Sequence, residues 1–273
     1  MFAASSYPRR IVCLTEETTE WLYLLGEAHR IVGISAYTCR PPEAKTEKPV
    51  VSAYVGGSVK KIKALEPDLV IGFSDVQATF AQTLIRENLN VLITNQRTLA
   101  EILDTLLLIG RIVGAADRAE TLVAGYRERL AEVQAASAGQ PRPRVYFEEW
   151  HDPMIAAIEW VSELLEIAGG TNIFADRASG RASAERHVTS DEVIARQPDI
   201  YIGCWCGKPV KMDQVRQRPG YDQVPAIRNN RMFELDPAII LQPGPAALTD
   251  GLDALRAIIA GVSAARYGAS AAV

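Results

Sequence analysis

The sequence predicts an α/β protein of two similar lobes joined by a long backbone helix. The first observation is a repeat: residues 59–72 and 190–203 match at five positions at an offset of 131 residues, and each copy reads as a short helix, a Pro-Asp turn and a buried strand ending in Gly. The second is the segment 98–136, where apolar residues recur at the three- and four-residue steps of a helix. Because this segment lies between the two copies, we predict two lobes and a helical spacer.

The first lobe, residues 1–97, alternates strands with helices. A long irregular stretch at 35–57 interrupts the pattern, and loops of this length in compact folds are often functional. The alternation predicts a parallel sheet with helices on both faces, a Rossmann-like arrangement. The predicted strands are 11–14, 31–34, 69–72 and 90–94, and the predicted helices end at Gly26, Leu65 and Glu87.

The spacer, residues 98–137, divides into two helices at Gly114 and the Asp117 cap signal. The second lobe, residues 138–273, repeats the scheme of the first. Its predicted strands are 145–148, 200–203 and 231–235, with loops at 149–154 and 175–189 and a closing helix at 249–260.

Composition and charge exclude several classes of protein. The 273 residues carry a net charge of −4 without a basic run, which argues against a nucleic-acid surface. No apolar segment approaches the length of a membrane span. The start, MFAASSYPRRIV, shows no apolar signal core. We therefore expect either a cytoplasmic protein or a chain that begins after a removed leader.

Aromatic and polar residues follow the predicted strands, where parallel sheets bind ligands. Trp150 and Trp205 fall in predicted loops, which favours either a planar ligand stacked between the lobes or lobe–lobe packing. His151, beside Trp150, contacts a ligand or makes a structural hydrogen bond. The adjacent Glu148 and Glu149 face opposite ways in an extended chain, so we expect one to end in solvent and the other to bond a loop.

No catalytic motif is visible. The chain has neither a Gly-rich phosphate loop nor a GxSxG elbow, and its three histidines are scattered. Cys204 and Cys206 flank Trp205, a spacing that fits either a metal pair or ordinary packing. We therefore predict no enzyme and no catalytic cofactor.

Several motifs resemble those of the class III, helical-backbone solute-binding proteins of ABC importers, which bind cobalamin or iron–siderophore chelates. The resemblance covers nearly the whole chain. The motifs that carry it are RIVCLTEETTEWLYLLGEAHRIVGIS, IKALEPDLVI, WVSELLEIAGG, VTSDEVIARQPD and QPGP with the later DGL, and the last of these together with Cys206-Gly207 is most similar to the cobalamin-binding branch.

The resemblance implies a non-enzymatic, monomeric, periplasmic binder of a cobalamin-like corrinoid or a ferric siderophore, held in a cleft between the lobes. It implies an ABC permease as partner, docked through one acidic residue on each lobe. The matching positions are Asp191 and Lys60, and the lysine reverses the charge of one contact. The implied cleft residues are Tyr37, Tyr54, Phe73, Trp150, His151, Trp205 and Gln242.

Two other functions stay open. A free-metal receptor would use His151, His187 and a carboxylate or Cys206, since zinc sites need three or four such ligands. A cytoplasmic enzyme acting on a tetrapyrrole or metal chelate is the second alternative.

Overall fold

The computed structural model describes residues 7–267 and divides them into two compact units. The first runs to Gly125 and includes Pro243–Pro245, and the second comprises Tyr126–Gln242 and the chain from Ala246. The division falls within one long helix, whereas the sequence set three segments at 1–97, 98–137 and 138–273. The predicted α/β class is confirmed.

The first unit contains a five-stranded sheet in the order β3-β2-β1-β4-β5, and every neighbouring pair is parallel. Two of its elements, β3 and α2, fall in the stretch that the sequence predicted as irregular. The elements of this unit are β1 (Ile11–Cys13), α1 (Glu16–Leu24), β2 (Ile31–Ser35), α2 (Ala44–Glu47), β3 (Val50–Ser52), α3 (Val59–Ala64), β4 (Leu69–Phe73), α4 (Ala78–Arg86), β5 (Val91–Thr94), α5 (Leu99–Ile112) and the start of α6 (Ala116–Ser137).

The second unit contains a sheet in the order β10-β9-β6-β7, with β8 also pairing β6. Its elements after α6 are β6 (Arg144–His151), β7 (Met154–Ala156), α7 (Glu159–Ile167), β8 (Thr171–Asn172), α8 (Ser190–Arg196), β9 (Ile200–Gly203), α9 (Met212–Arg216), α10 (Pro225–Arg228), β10 (Met232–Glu234), α11 (Pro237–Ile240) and α12 (Leu252–Tyr267).

The predicted loop at 149–154 is wrong. Strand β6 continues to His151, turns at Asp152-Pro153 and returns as β7, which pairs with it antiparallel. The second sheet is therefore mixed rather than purely parallel. The alternation rule cannot detect this hairpin, because the two strands follow each other without an intervening helix.

The sequence repeat corresponds to the same set of hydrogen bonds in both units. Each set joins the start of a strand, β1 or β6, to the Pro-Asp turn that follows a helix, α3 or α8. In the first unit, the Asp68 carboxylate accepts hydrogen bonds from the backbone N–H groups of Arg9 and Arg10 at 2.6 and 3.0 Å. In the second, Asp199 accepts from the N–H of Arg144 at 3.0 Å. The Arg10 side chain donates to the carbonyl of Leu65, directly after α3. The Arg144 side chain donates in the same way to the carbonyl of Arg196, the last residue of α8. The repeated Pro-Asp thus fixes the entry of β1 and of β6.

Two tryptophans on helices are core residues, one in each unit. Trp21 Nε1 donates to the carbonyl of Leu106 at 2.9 Å, which ties α1 to α5. Trp160 Nε1 donates to the carbonyl of Ile240 at 2.9 Å, which ties α7 to α11. Buried aromatic rings of this kind combine a large apolar area with one satisfied donor.

A carboxylate lies at the centre of the core of the second unit. Glu148 on β6 is 0% exposed and accepts hydrogen bonds from the hydroxyls of Tyr146 at 2.9 Å and Tyr201 at 2.8 Å. Trp205 Nε1 donates to it at 3.0 Å, and Arg218 donates twice, at 2.5 and 3.0 Å. The expectation that one of the paired glutamates ends in solvent is wrong, since Glu149 also forms an ion pair, with Arg186.

We expect Gly110→Ala to destabilise the contact between α5 and α6. A Cβ at Gly110 would lie 2.3 Å from the Cβ of Ala119, so the helices must separate, at a cost of about 1–3 kcal/mol. Gly125→Ala is the matched control, because Gly125 is an exposed position on α6 where a Cβ would meet no atom within 4 Å. It should stabilise the chain by about 0.5–1 kcal/mol. Urea unfolding followed by circular dichroism measures both, and equal effects would contradict the close packing.

We expect Glu148→Gln to lower the free energy of unfolding by about 3 kcal/mol, because it leaves the Arg218 charge buried without its carboxylate. Glu87→Gln removes an exposed partner of Lys63 and should change it by less than about 0.5 kcal/mol. Both are measured by urea unfolding with tryptophan fluorescence. A Glu148→Gln variant as stable as the control would show that the buried charge pair contributes little.

Candidate ligand-binding site

Two tyrosines lie at the carboxyl edge of the first sheet. Tyr37 follows β2 and Tyr54 follows β3, and their ring centroids are 6.2 Å apart at 79°, an edge-to-face pair. Both line a cavity of about 540 Å³ together with Lys61. Tyr37 is 48% exposed, so a large part of its ring is open to a ligand.

Phe73, the last residue of β4, lies at the same edge but is buried. The Arg97 guanidinium lies 5.4 Å from its ring centroid and donates to Ser74 Oγ at 3.3 Å and to Asp75 at 3.0 Å. A hydrogen bond from Ser74 and the charge of Arg97 lower the pKa of the Asp75 carboxyl. Arg97 Nε is buried without a hydrogen-bond partner among the described residues, so this guanidinium keeps one donor unused.

Aromatic rings stack at the carboxyl edge of the second sheet. The His151 and Trp205 centroids lie 4.3 Å apart with the planes inclined by only 25°. The Trp150 ring lies 5.1 Å from His151 at 57°, and Lys208 Nζ lies 4.0 Å from the Trp150 centroid. The structure therefore brings together three of the sequence-predicted site residues and adds a cation that the sequence analysis did not single out.

The surroundings of the His151 imidazole favour its neutral form. Partial burial, and then the charge of Lys208, lower its pKa from the ordinary value of 6.5. Its Nδ1 is buried and has no hydrogen-bond partner among the described residues. A neutral imidazole with an unused nitrogen can accept a hydrogen bond or bind a metal.

Trp205 lies beneath this stack rather than on its open side. It is 1% exposed, its N–H is bonded to Glu148, and one ring face is covered by His151. Its direct contact with a ligand stays a prediction. The role visible in the structure is to support the His151 ring from the protein side.

Gln242 is partly buried and follows α11, directly before the segment Pro243–Pro245 that belongs to the first unit. In that segment, the carbonyl of Pro243 accepts from Gln96 Nε2 at 3.3 Å, and Gly244 packs so closely on Glu17 that a Cβ would lie 2.5 Å from the Cβ of Glu17. Burial raises the pKa of Glu17 to about 7. Contact of Gln242 with a ligand stays a prediction.

Two features of the site were missed from the sequence. The first is the burial of Glu148, which the sequence analysis placed at the end of a strand. Tyr146, two residues before it on β6, and Tyr201 on β9 both donate to it, and these tyrosines could have indicated a buried acid. Lys208 follows Gly207, whose φ of +74° turns the loop back toward β6. No local pattern indicates that this turn places an ammonium over Trp150.

The cysteines and histidines do not assemble into a cluster. Within residues 7–267, no group of three or more His, Cys, Asp and Glu side chains is placed to hold a metal ion. Cys204 is buried and Cys206 is exposed, and burial is the main cause that raises the pKa of the Cys204 thiol. In the same part of the chain, no helix has the length and apolar character needed to cross a bilayer.

A family model described as periplasmic binding protein matches residues 11–239. Among curated relatives, an uncharacterized ABC transporter substrate-binding lipoprotein YvrC of Bacillus subtilis is 25% identical over 91% of this chain and 79% of its own. The vitamin B12-binding protein of Vibrio parahaemolyticus is 26% identical over 88% of this chain and 85% of its own. The solved periplasmic heme-binding protein RhuT of Roseiflexus sp. RS-1 is 25% identical, with a TM-score of 0.77 over 92% of this chain and 99% of its own.

These matches confirm the resemblance drawn from the motifs. Each spans both units of this chain, and the family model alone covers most of its length. The chain belongs to the periplasmic binding protein family.

Proposed function

We propose that this chain reversibly binds a metal chelate of the corrinoid, haem or ferric-siderophore class and presents it to an ABC permease outside the cytoplasmic membrane. The stack of Trp150 and His151 on the buried Trp205 carries this proposal. The named relatives support it, since one is a vitamin B12-binding protein and another a heme-binding protein.

The chemistry of the stack suits a large, mostly apolar chelate. Aromatic rings supply wide contact area with little conformational entropy to lose, and ring stacking adds to the area term. The neutral imidazole of His151 adds an acceptor without a charge that would need desolvation. Trp205 keeps His151 in place, so the ring face is organised before the ligand arrives.

The residues of the first unit add contacts of a different kind. Tyr37 and Tyr54 offer hydroxyls and ring edges around their cavity, and Arg97 offers an unused N–H beside Phe73. We propose that these side chains, with Gln242 of the second unit, also contact the chelate. They supply polar bonds that orient the ligand, while the stack supplies most of the apolar burial.

For the permease, we propose contacts at Lys60 on α3 and Asp191 in the first turn of α8. Both side chains are exposed, and they occupy matching positions of the repeated helix. A permease arginine opposite Lys60 would be repelled, so the contact at α3 is weaker than the one at α8 unless the partner carries an acid there.

The free-metal receptor and the chelate-modifying enzyme remain the alternatives. Metal analysis of the purified protein separates the first from chelate binding. Chemical change of a bound chelate on incubation would favour the second.

We expect Trp150→Ala to weaken chelate binding by about 1–3 kcal/mol, because it removes a partly buried ring beside His151. Titration with hydroxocobalamin, haemin and a ferric siderophore, followed by tryptophan fluorescence, gives the affinities. Leu108→Ala, which removes an exposed apolar side chain of α5, is the control and should bind as the wild type does.

Trp205→Ala should weaken binding by a similar amount, and it should also destabilise the second unit, because it leaves Glu148 without one donor. Wild-type protein that responds to none of the three chelates would refute the proposed function. Full affinity in Trp150→Ala would refute the role of the stack alone.

We expect Lys60→Glu to increase stimulation of the cognate permease's ATPase several-fold if that permease carries the basic contact, and Asp191→Lys to decrease it, since each reverses one charge at the proposed interface. Glu132→Lys, an exposed reversal on α6, is the control. The assay uses permease reconstituted in vesicles at low and high salt. Identical stimulation by all variants would contradict docking through these helices.

A further inference from the structure

Lys208 carries a positive charge that has an aromatic partner but no acidic one. Its ammonium lies 4.0 Å from the Trp150 ring centroid, within the range of a cation–π contact. Within the described residues 7–267, no carboxylate forms an ion pair with it. Because this charge lies close to the stack, it contributes to the lowered pKa of His151.

The other cation near the stack is already neutralised. Arg218 also lowers the pKa of His151, but its guanidinium is bonded twice to the buried Glu148. The carboxylates of Glu148 and Asp152 raise the pKa of the imidazole. Of the two, only Glu148 forms an ion pair with a cation of the described residues. Lys208 is therefore a cation of this edge that forms no ion pair among the described residues, and its side chain is exposed.

The backbone of the Lys208 loop is held at both ends. The N–H of Cys204 donates to the carbonyl of Glu148 at 2.9 Å, and the N–H of Val210 donates to Glu234 Oε1 at 2.8 Å. The N–H of Lys208 donates to the carbonyl of Trp205 at 3.3 Å, closing the turn around Gly207. These hydrogen bonds therefore hold the backbone of Lys208 in place, and its long, exposed side chain extends from this point to Trp150.

On the basis of the proposed function, we propose that Lys208 is a specificity-determining residue that selects chelates carrying a peripheral carboxylate. A planar ligand that stacks on this face of Trp150 must displace the ammonium. The displaced group remains tethered at the rim of the ligand, where an anionic substituent recovers the lost interaction as a charge-assisted hydrogen bond. A neutral chelate displaces the same cation and recovers nothing.

The test compares anionic and neutral forms of the chelate that the wild type binds. The pairs are haemin and its dimethyl ester, the three cyanocobalamin monocarboxylates and cyanocobalamin, and ferrioxamine B acylated at its terminal amine with succinate or with acetate. We expect the wild type to prefer at least one anionic form about five- to tenfold. Lys208→Met should lose that preference, and Lys211→Met, an exposed lysine three residues on, should keep it.

A second measurement places Lys208 without a ligand. Proton NMR titration of the His151 ring should show a higher pKa in Lys208→Met than in wild type, and no change in Lys211→Met. An unchanged His151 pKa, or an anion preference that persists in Lys208→Met, overturns the assignment while the proposed function stands. Absence of binding to every chelate by the wild type overturns the proposed function and the assignment together.

Discussion

The candidate site of the second unit depends on one buried carboxylate. Glu148 has no exposed surface, and its two oxygens accept five hydrogen bonds, which offset the cost of burying the charge. One of these bonds fixes the indole of Trp205, on which His151 stacks. The position of the partly buried His151 ring is thus supported from inside the core.

The sequence predicts the duplicated framework because the same residues recur wherever the same contact is made. Pro-Asp is repeated since each Asp accepts backbone N–H groups at the start of β1 or β6. The apolar period of α5 is a local pattern, because its residues repeat within one helix. The class and order of most elements follow from such patterns.

The parts that escape prediction depend on contacts distant in sequence. Strand β3 has three residues and is defined by pairing with β2, so its own letters carry no periodic signal. The β6–β7 hairpin extends a strand that the sequence ends at residue 148. Glu148 is an acid in a strand, and its burial depends on donors far along the chain, such as Trp205 at 57 positions and Arg218 at 70. The candidate residues were proposed from their place after strands and from the resemblance, and neither predicts that His151 stacks on Trp205.

The layers of the site have different freedom to change. Replacing Glu148 leaves a buried cation unpaired, at a cost of several kcal/mol, which is a large share of the stability of a typical domain. Replacing Lys208 or Tyr37 removes an exposed side chain, and such changes usually cost less than about 0.5 kcal/mol. In this chain the exposed layer can therefore change at little cost in stability, whereas the carboxylate and the groups bonded to it cannot, because each replacement leaves a buried polar partner without its hydrogen bond.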